Sequence, residues 1–139
     1  MGRPKEFDRD DVLDRAISLF CSIVFNSSIG NAKGIARTSV YSAAKAGLRQ
    51  LARSLGAELL ERRIRVNAVS PGPIETPIFD KLGLGSDKDA FKEHMRALNP
   101  MKRFGTADEV ARAVLFFAGE DASYVTGAEL AVDGGLTNF

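Results

Sequence analysis

Apolar and polar positions along the chain switch between helical and strand-like periods. Val12, Leu13, Ala16, Ile17 and Phe20 recur at helical spacing and predict an amphipathic helix from about Arg9 to Phe20. Asp8 stands where an N-cap belongs, Asp10 and Asp11 suit the positive first turn, and Phe7 with Val12 occupy the positions of a hydrophobic staple. From Cys21 the texture changes. SIVFN (Ser22 to Asn26) reads as a short buried strand, followed by a Gly- and Ser-containing loop from Ser27 to Thr38. About Ser39 to Arg62 is strongly helical, with Ala44, Leu48, Leu51, Ala52, Leu55 and Leu59 on one face.

IRVNAV (Ile64 to Val69) predicts a second strand, ended by the Pro71-Gly72-Pro73 turn. Between Glu75 and Pro100, Pro77, Gly83, Gly85 and Ser86 predict short helices on a mobile excursion outside the core. Thr106 and Glu109 form a T-x-x-E capping box that starts a helix through about Ala118, with Val110, Val114 and Phe117 inward. ELAV (Glu129 to Val132) is a third strand, closed by Asp133-Gly134-Gly135. Strand, helix, strand, helix, strand is the pattern of an α/β fold: a Rossmann-like three-layer arrangement of parallel strands with crossover helices, here with an extra N-terminal helix. Two segments result, residues 1–20 and 21–139.

Composition narrows the function classes. The 139 residues carry 19 Lys and Arg against 18 Asp and Glu, a net charge of +1, which leaves no electrostatic footprint for nucleic acid or an acidic membrane. One Cys excludes an intramolecular disulfide. The longest mostly apolar run, Ala16 to Phe25, is ten residues, far short of the roughly 20 needed to span a bilayer. Glu6, Asp8, Asp10, Asp11 and Asp14 stand where a signal peptide would carry basic residues. A cytoplasmic location is expected.

The most informative chemistry is Tyr41 with Lys45, preceded by Ser28. Four residues apart on a helix, a phenol and an ammonium project from the same face. A cation held beside a phenol favours the phenolate and makes it a better base near neutral pH. A serine hydroxyl at a strand end, beside the start of that helix, is placed to hold a substrate oxygen next to the phenol.

The strings IVFNSSIG, YSAAKAGL, RVNAVSPGPIETPIF and RFGTADEVARAVLFFAGEDASYVTGAELAVDGG follow one another from Ser22 onward. In order and spacing this stretch resembles the short-chain dehydrogenase/reductase family. The resemblance implies reversible hydride transfer between NAD or NADP and a small-molecule carbonyl or alcohol. It implies Ser28 as the substrate-orienting serine, Tyr41 as general acid/base, and Lys45 as the residue that tunes the tyrosine and contacts the nicotinamide ribose. Pro71 and Gly72 match the turn lining the nicotinamide, and Ile74 and Thr76 match positions that touch its carboxamide or the pyrophosphate. Family members commonly assemble through the long helix and the last helix and strand, so a homo-oligomer is implied as well.

Members of that family run to nearly twice this length, so the resemblance is to their C-terminal half. The glycine-rich first turn that meets the pyrophosphate has no counterpart here, nor does the residue that chooses between the two cofactors. Truncation is therefore expected to impair catalysis. Gly30, Gly34 and Ala36 imitate the glycine fingerprint, but the helical pattern starts only near Ser39 and the next acidic residue is Glu58, so a flexible loop beside the site is expected.

Residues 1–20 instead resemble the opening helix of TetR-type repressors, joined near Cys21. No recognition helix follows, and the segment holds one more acid than base, so DNA binding is not expected. No metal site is expected: His94, the only histidine, reads as an exposed helix position, and Cys21 as a small core residue. Phe116 and Phe117 read as core or interface, and Arg62, Arg63 and Arg65 as a solvated cap on their own helix end. Beside the oxidoreductase stand two other readings, a non-catalytic association module and, last, a repressor-like DNA binder.

Overall fold

A computed structural model describes residues 21–81, 83 and 85–139; the helix expected over Arg9 to Phe20 lies outside the described residues. Three strands, β1 (Ser22–Asn26), β2 (Arg65–Pro71) and β3 (Glu129–Val132), form one parallel sheet in the order β1-β2-β3. Helix α1 (Ser39–Glu58) crosses from β1 to β2; α2 (Lys88–Leu98) and α3 (Ala107–Ala118) lie between β2 and β3. This is the expected α/β arrangement, with the strands as predicted to within two residues at either end.

β2 is the centre of the sheet. Every residue from Val66 to Ser70 is buried, as a parallel strand covered on both faces requires. On one face Val66 and Ala68 pack with Ala52, Leu55 and Leu59 of α1. On the other, Val69 packs with Phe117 of α3 and Ala122. Buried Asn67 is satisfied by the chain entering β3: its Nδ2 donates to Val125 O at 2.9 Å and its Oδ1 accepts from Ala128 N at 3.0 Å. That pairing sets the register Ala68↔Glu129.

The helix face differs from the sequence pattern at two positions. Ala44 and Leu51 are exposed, because the sheet takes the stripe through Ala52, Leu55 and Leu59 and each of the other two lies one residue behind it. The helix also stops at Glu58. A 3-10 turn (Leu60–Arg62) and Arg63 at φ +58 reverse the chain into β2.

Arg65 is not a cap on its own helix. It sits in β2 and donates to the C-terminal carbonyls of α3, Phe117 O at 2.7 Å and Gly119 O at 3.0 Å, where a cation meets the negative pole. Phe117 is core and Phe116 partly exposed; His94 is exposed, as expected, whereas Cys21 is half-buried and lies outside the core clusters.

The excursion after β2 is tied to the core more firmly than its composition predicts. Phe79 is buried and stacks on Phe104, centroids 5.2 Å apart. Buried Asn99 donates from Nδ2 to Asp133 O at 2.8 Å and accepts Met101 N at 2.9 Å. Ile74 forms a parallel bridge with Gly105, so both ends of the segment are held.

α3 begins with the predicted capping box. Thr106 Oγ1 accepts from Glu109 N at 3.2 Å and Glu109 Oε2 accepts from Thr106 N at 2.8 Å. Arg103 adds two bonds to the same carboxylate, 2.9 and 2.6 Å. The Arg103 guanidinium, helped by the Thr106 backbone N–H, holds the Glu109 carboxyl down at about 2, against an ordinary 4.5. Its folded pKa lies below the unfolded one, so this stabilisation is complete above about pH 4.5 and is lost as pH falls toward 2. Thermal unfolding followed against pH will show a shallower acid slope in Glu109→Gln than in the parent, and Thr106→Ala will cost about 1 kcal/mol at neutral pH.

Candidate active site

β1 ends two residues before β2 does. Asn26 pairs with Val69, and Ser27 N donates to Val69 O at 2.7 Å. Both chains therefore leave the sheet on the same edge, which in open α/β sheets is where ligands bind. A cleft of about 480 Å³ opens there, within the range of small-molecule pockets, about 300–1,000 Å³. Ser28, Tyr41, Lys45, Pro71, Gly72, Ile74 and Thr76 all line it. Its apolar wall is Ile78, Phe79, Ala107 and Val110, none of which the sequence reading assigned to a site. The pattern that placed Val110 inward on its helix was the available signal for that residue.

Ser28 caps the 3-10 turn Ile29–Asn31, its Oγ accepting from Gly30 N at 3.2 Å. The hydroxyl proton is left to donate into the cleft. Gly30 lies between the serine and the phenol: a Cβ there would stand 3.3 Å from Ser42 Oγ and in ordinary contact with Tyr41 Cε1 at 3.4 Å and Ser28 Oγ at 3.6 Å. Ile29 and Gly30 are buried, so the start of the expected flexible loop is anchored.

Tyr41 stands on the first turn of α1, 50% exposed. Lys45 Nζ lies 5.7 Å from the phenol ring centroid and donates to Asn26 O at 2.9 Å. One of its three protons is used there, and two remain for a ligand.

Gly72 joins the two sides. Its N donates to Val132 O at 3.0 Å, and a Cβ would fall 2.7 Å from both Cα and Cβ of Asp133. Asp133 is buried and holds the turn after β3, accepting from Gly135 N and Thr137 N at 2.9 Å and from Thr137 Oγ1 at 2.6 Å. Burial pushes its carboxyl up, but the Thr137 hydroxyl and the backbone N–H bonds outweigh it and leave it below the usual range. Thr76 Oγ1 reaches only Ile74 O, at a long 3.5 Å, so its hydroxyl can turn to another partner. Among the described residues no group of His, Cys, Asp and Glu could hold a metal ion, and no helix is long and apolar enough to cross a membrane.

A family profile described as enoyl-(acyl carrier protein) reductase matches residues 12–137. The chain is 47% identical over 116 residues to cis-4-hydroxycyclohexanecarboxylate dehydrogenase of Sinomonas cyclohexanicum, covering 84% of this chain and 45% of that protein. It is 42% identical over 115 residues to 3-oxoacyl-(acyl-carrier-protein) reductase FabG of Thermotoga maritima, covering 83% and 45%. The solved aldohexose dehydrogenase of Thermoplasma acidophilum superposes with a TM-score of 0.78 at 36% identity, over 84% of this chain and 48% of that one. The chain thus spans less than half the length of these curated relatives. The family match starts at residue 12, inside the segment that resembles a repressor helix, and none of these comparisons supports that resemblance.

The Gly72 contact gives a direct test. Gly72→Ala must push the turn off Asp133, an overpacking that costs about 1–3 kcal/mol. A lowered denaturation midpoint with an unchanged m-value is the expected result.

Proposed function

The chain belongs to the short-chain dehydrogenase/reductase family, and from that premise we propose that it acts in reversible hydride transfer between a nicotinamide cofactor and a small carbonyl or alcohol substrate. The observation that carries this reading is that Ser28, Tyr41 and Lys45, from a strand-end loop and a helix, line one cleft with the Pro71–Thr76 turn. The donors present fit a nicotinamide ribose: two free Lys45 protons and the Tyr41 and Thr76 hydroxyls, beside an apolar turn at Pro71, Gly72 and Ile74. NAD or NADP, when bound, supplies or accepts the hydride.

In this reading Tyr41 Oη gives a proton to the substrate oxygen on reduction and takes it back on oxidation. Ser28 Oγ donates to the same oxygen and fixes which face of the carbonyl meets the cofactor. Lys45 holds the ribose with the two protons it does not give to Asn26 O. Ile78, Phe79 and Val110 give the cleft an apolar wall for the carbon skeleton of the substrate. One cysteine and near-neutral charge fit a cytoplasmic protein.

The outer face of α1 favours a second reading, self-association, alongside the first. Val40 is 84% exposed, and Ala44 and Leu51 follow it at helical spacing on the exposed side. No described strand pairs with the free edge of β1, which invites pairing with another chain. We assign a homo-oligomer built on α1. Sedimentation will show a dimer or larger species that Leu51→Glu dissociates, and a strictly monomeric parent would rule this out.

Titration with NADH or NADPH will give a saturable rise in cofactor fluorescence; no saturation at millimolar cofactor would reject binding by this chain. Tyr41→Phe will lower kcat by about 10²–10⁴-fold while leaving cofactor affinity within a few-fold of the parent.

A further inference from the structure

A ring of polar side chains closes behind the cleft. Lys45 is held at both ends: Nζ donates to Asn26 O at 2.9 Å, and its main-chain carbonyl accepts from Ser27 Oγ at 2.9 Å. Buried Ser27 has spent its one proton there, and its lone pair accepts from Asn31 Nδ2 at 3.1 Å. The same amide reaches Ser70 Oγ at 3.1 Å and donates to Glu129 Oε1, which also accepts from Ser70 Oγ at 2.5 Å. Glu129 Oε2 lies 2.6 Å from Arg49 Nε, an ion pair in which the Nε–H is not aimed to make a hydrogen bond. Arg49 follows Lys45 by one turn of α1, so the ring returns to the helix it started from.

The chemistry of the ring is directional. The two protons of the Asn31 NH₂ group are shared among three acceptors, Ser27 Oγ, Ser70 Oγ and Glu129 Oε1, and among the described residues its Oδ1 is buried without a hydrogen-bond partner. A carboxylate, an amide donor and a guanidinium in sequence are mutually required, because the Glu129 side chain is only 16% exposed and a charge so enclosed is costly once a partner is removed. Asn31 also ends the 3-10 turn that Ser28 caps. Movement of Asn31 therefore displaces Ser28 directly and Lys45 through Ser27.

We propose that Asn31, Glu129 and Arg49 are positioning residues that fix Lys45 and Ser28 in the cleft and make the site depend on β3. The inference rests on Ser28, Tyr41 and Lys45 being the reacting trio, and none of the three positioning residues lines the cleft. Their effect runs through the grip on Lys45.

The test reads that grip without needing turnover. Each lysine of the intact chain is labelled with an amine-reactive reagent under native conditions, and the rates are read by mass spectrometry. Glu129→Ala will speed Lys45 labelling by about tenfold over the parent, relative to Lys88 and Lys102, the factor allowed by loss of one ordinary hydrogen bond. Glu129→Gln, which keeps an acceptor for Asn31 but releases Arg49, will give a smaller, still selective rise. A Lys45 rate that is unchanged in both variants, or that rises no more than those of Lys88 and Lys102, overturns the proposal. In turnover, both variants will lower kcat with KM little changed. A parent chain without turnover would refute the proposed activity, while the labelling ratio would still decide the role of the ring.

Discussion

The parallel register of β1 on β2 is the constraint from which the rest follows. Because Asn26 pairs with Val69, the chain reversals at Ser27-Ser28 and Pro71-Gly72-Pro73 leave the sheet side by side. A slip of one residue would turn every side chain of β2 to the opposite face. Val66 and Ala68 would leave α1, and Ser27 would lose Val69 O. The cleft exists because both faces of β2 are filled, and that filling permits one register.

Helix α1 is then located twice. Ala52, Leu55 and Leu59 press its C-terminal half on the sheet. At the other end two hydrogen bonds to Lys45 add to the packing in locating it. This division has a chemical consequence. A helix held only by apolar packing tolerates small sliding, whereas two hydrogen bonds to one residue fix both the rise and the rotation of Tyr41 and Lys45 relative to Ser28. On the far side, Gly72 against Asp133 and Ile74 against Gly105 fix the opposite lip.

Much of this was legible in the sequence, for a physical reason. Strands and helices are local, and SIVFN, the T-x-x-E box and ELAV carry their signals within a few residues. That Ser28, Tyr41 and Lys45 share one cleft was legible because strand end, loop and helix follow one another directly. Contacts between distant residues leave no such trace. Asn31 and Glu129 are 98 positions apart, and nothing near either one marks it as the other's partner. Arg65 looked like a cap on the preceding helix because only the tertiary structure brings the end of α3 to it. Phe79 sat in a Pro- and Gly-marked stretch whose composition speaks for the surface, and stacking on Phe104 decided otherwise.

The central claim is that one edge of the sheet, organised by the β1–β2 register, is where the cofactor and substrate meet. Amide chemical-shift mapping during titration with NADH or NADPH tests it most directly. Shifts concentrated at residues 26–30, 41–45 and 71–76 are the predicted result. Saturable shifts centred elsewhere, or none at millimolar cofactor, would contradict it.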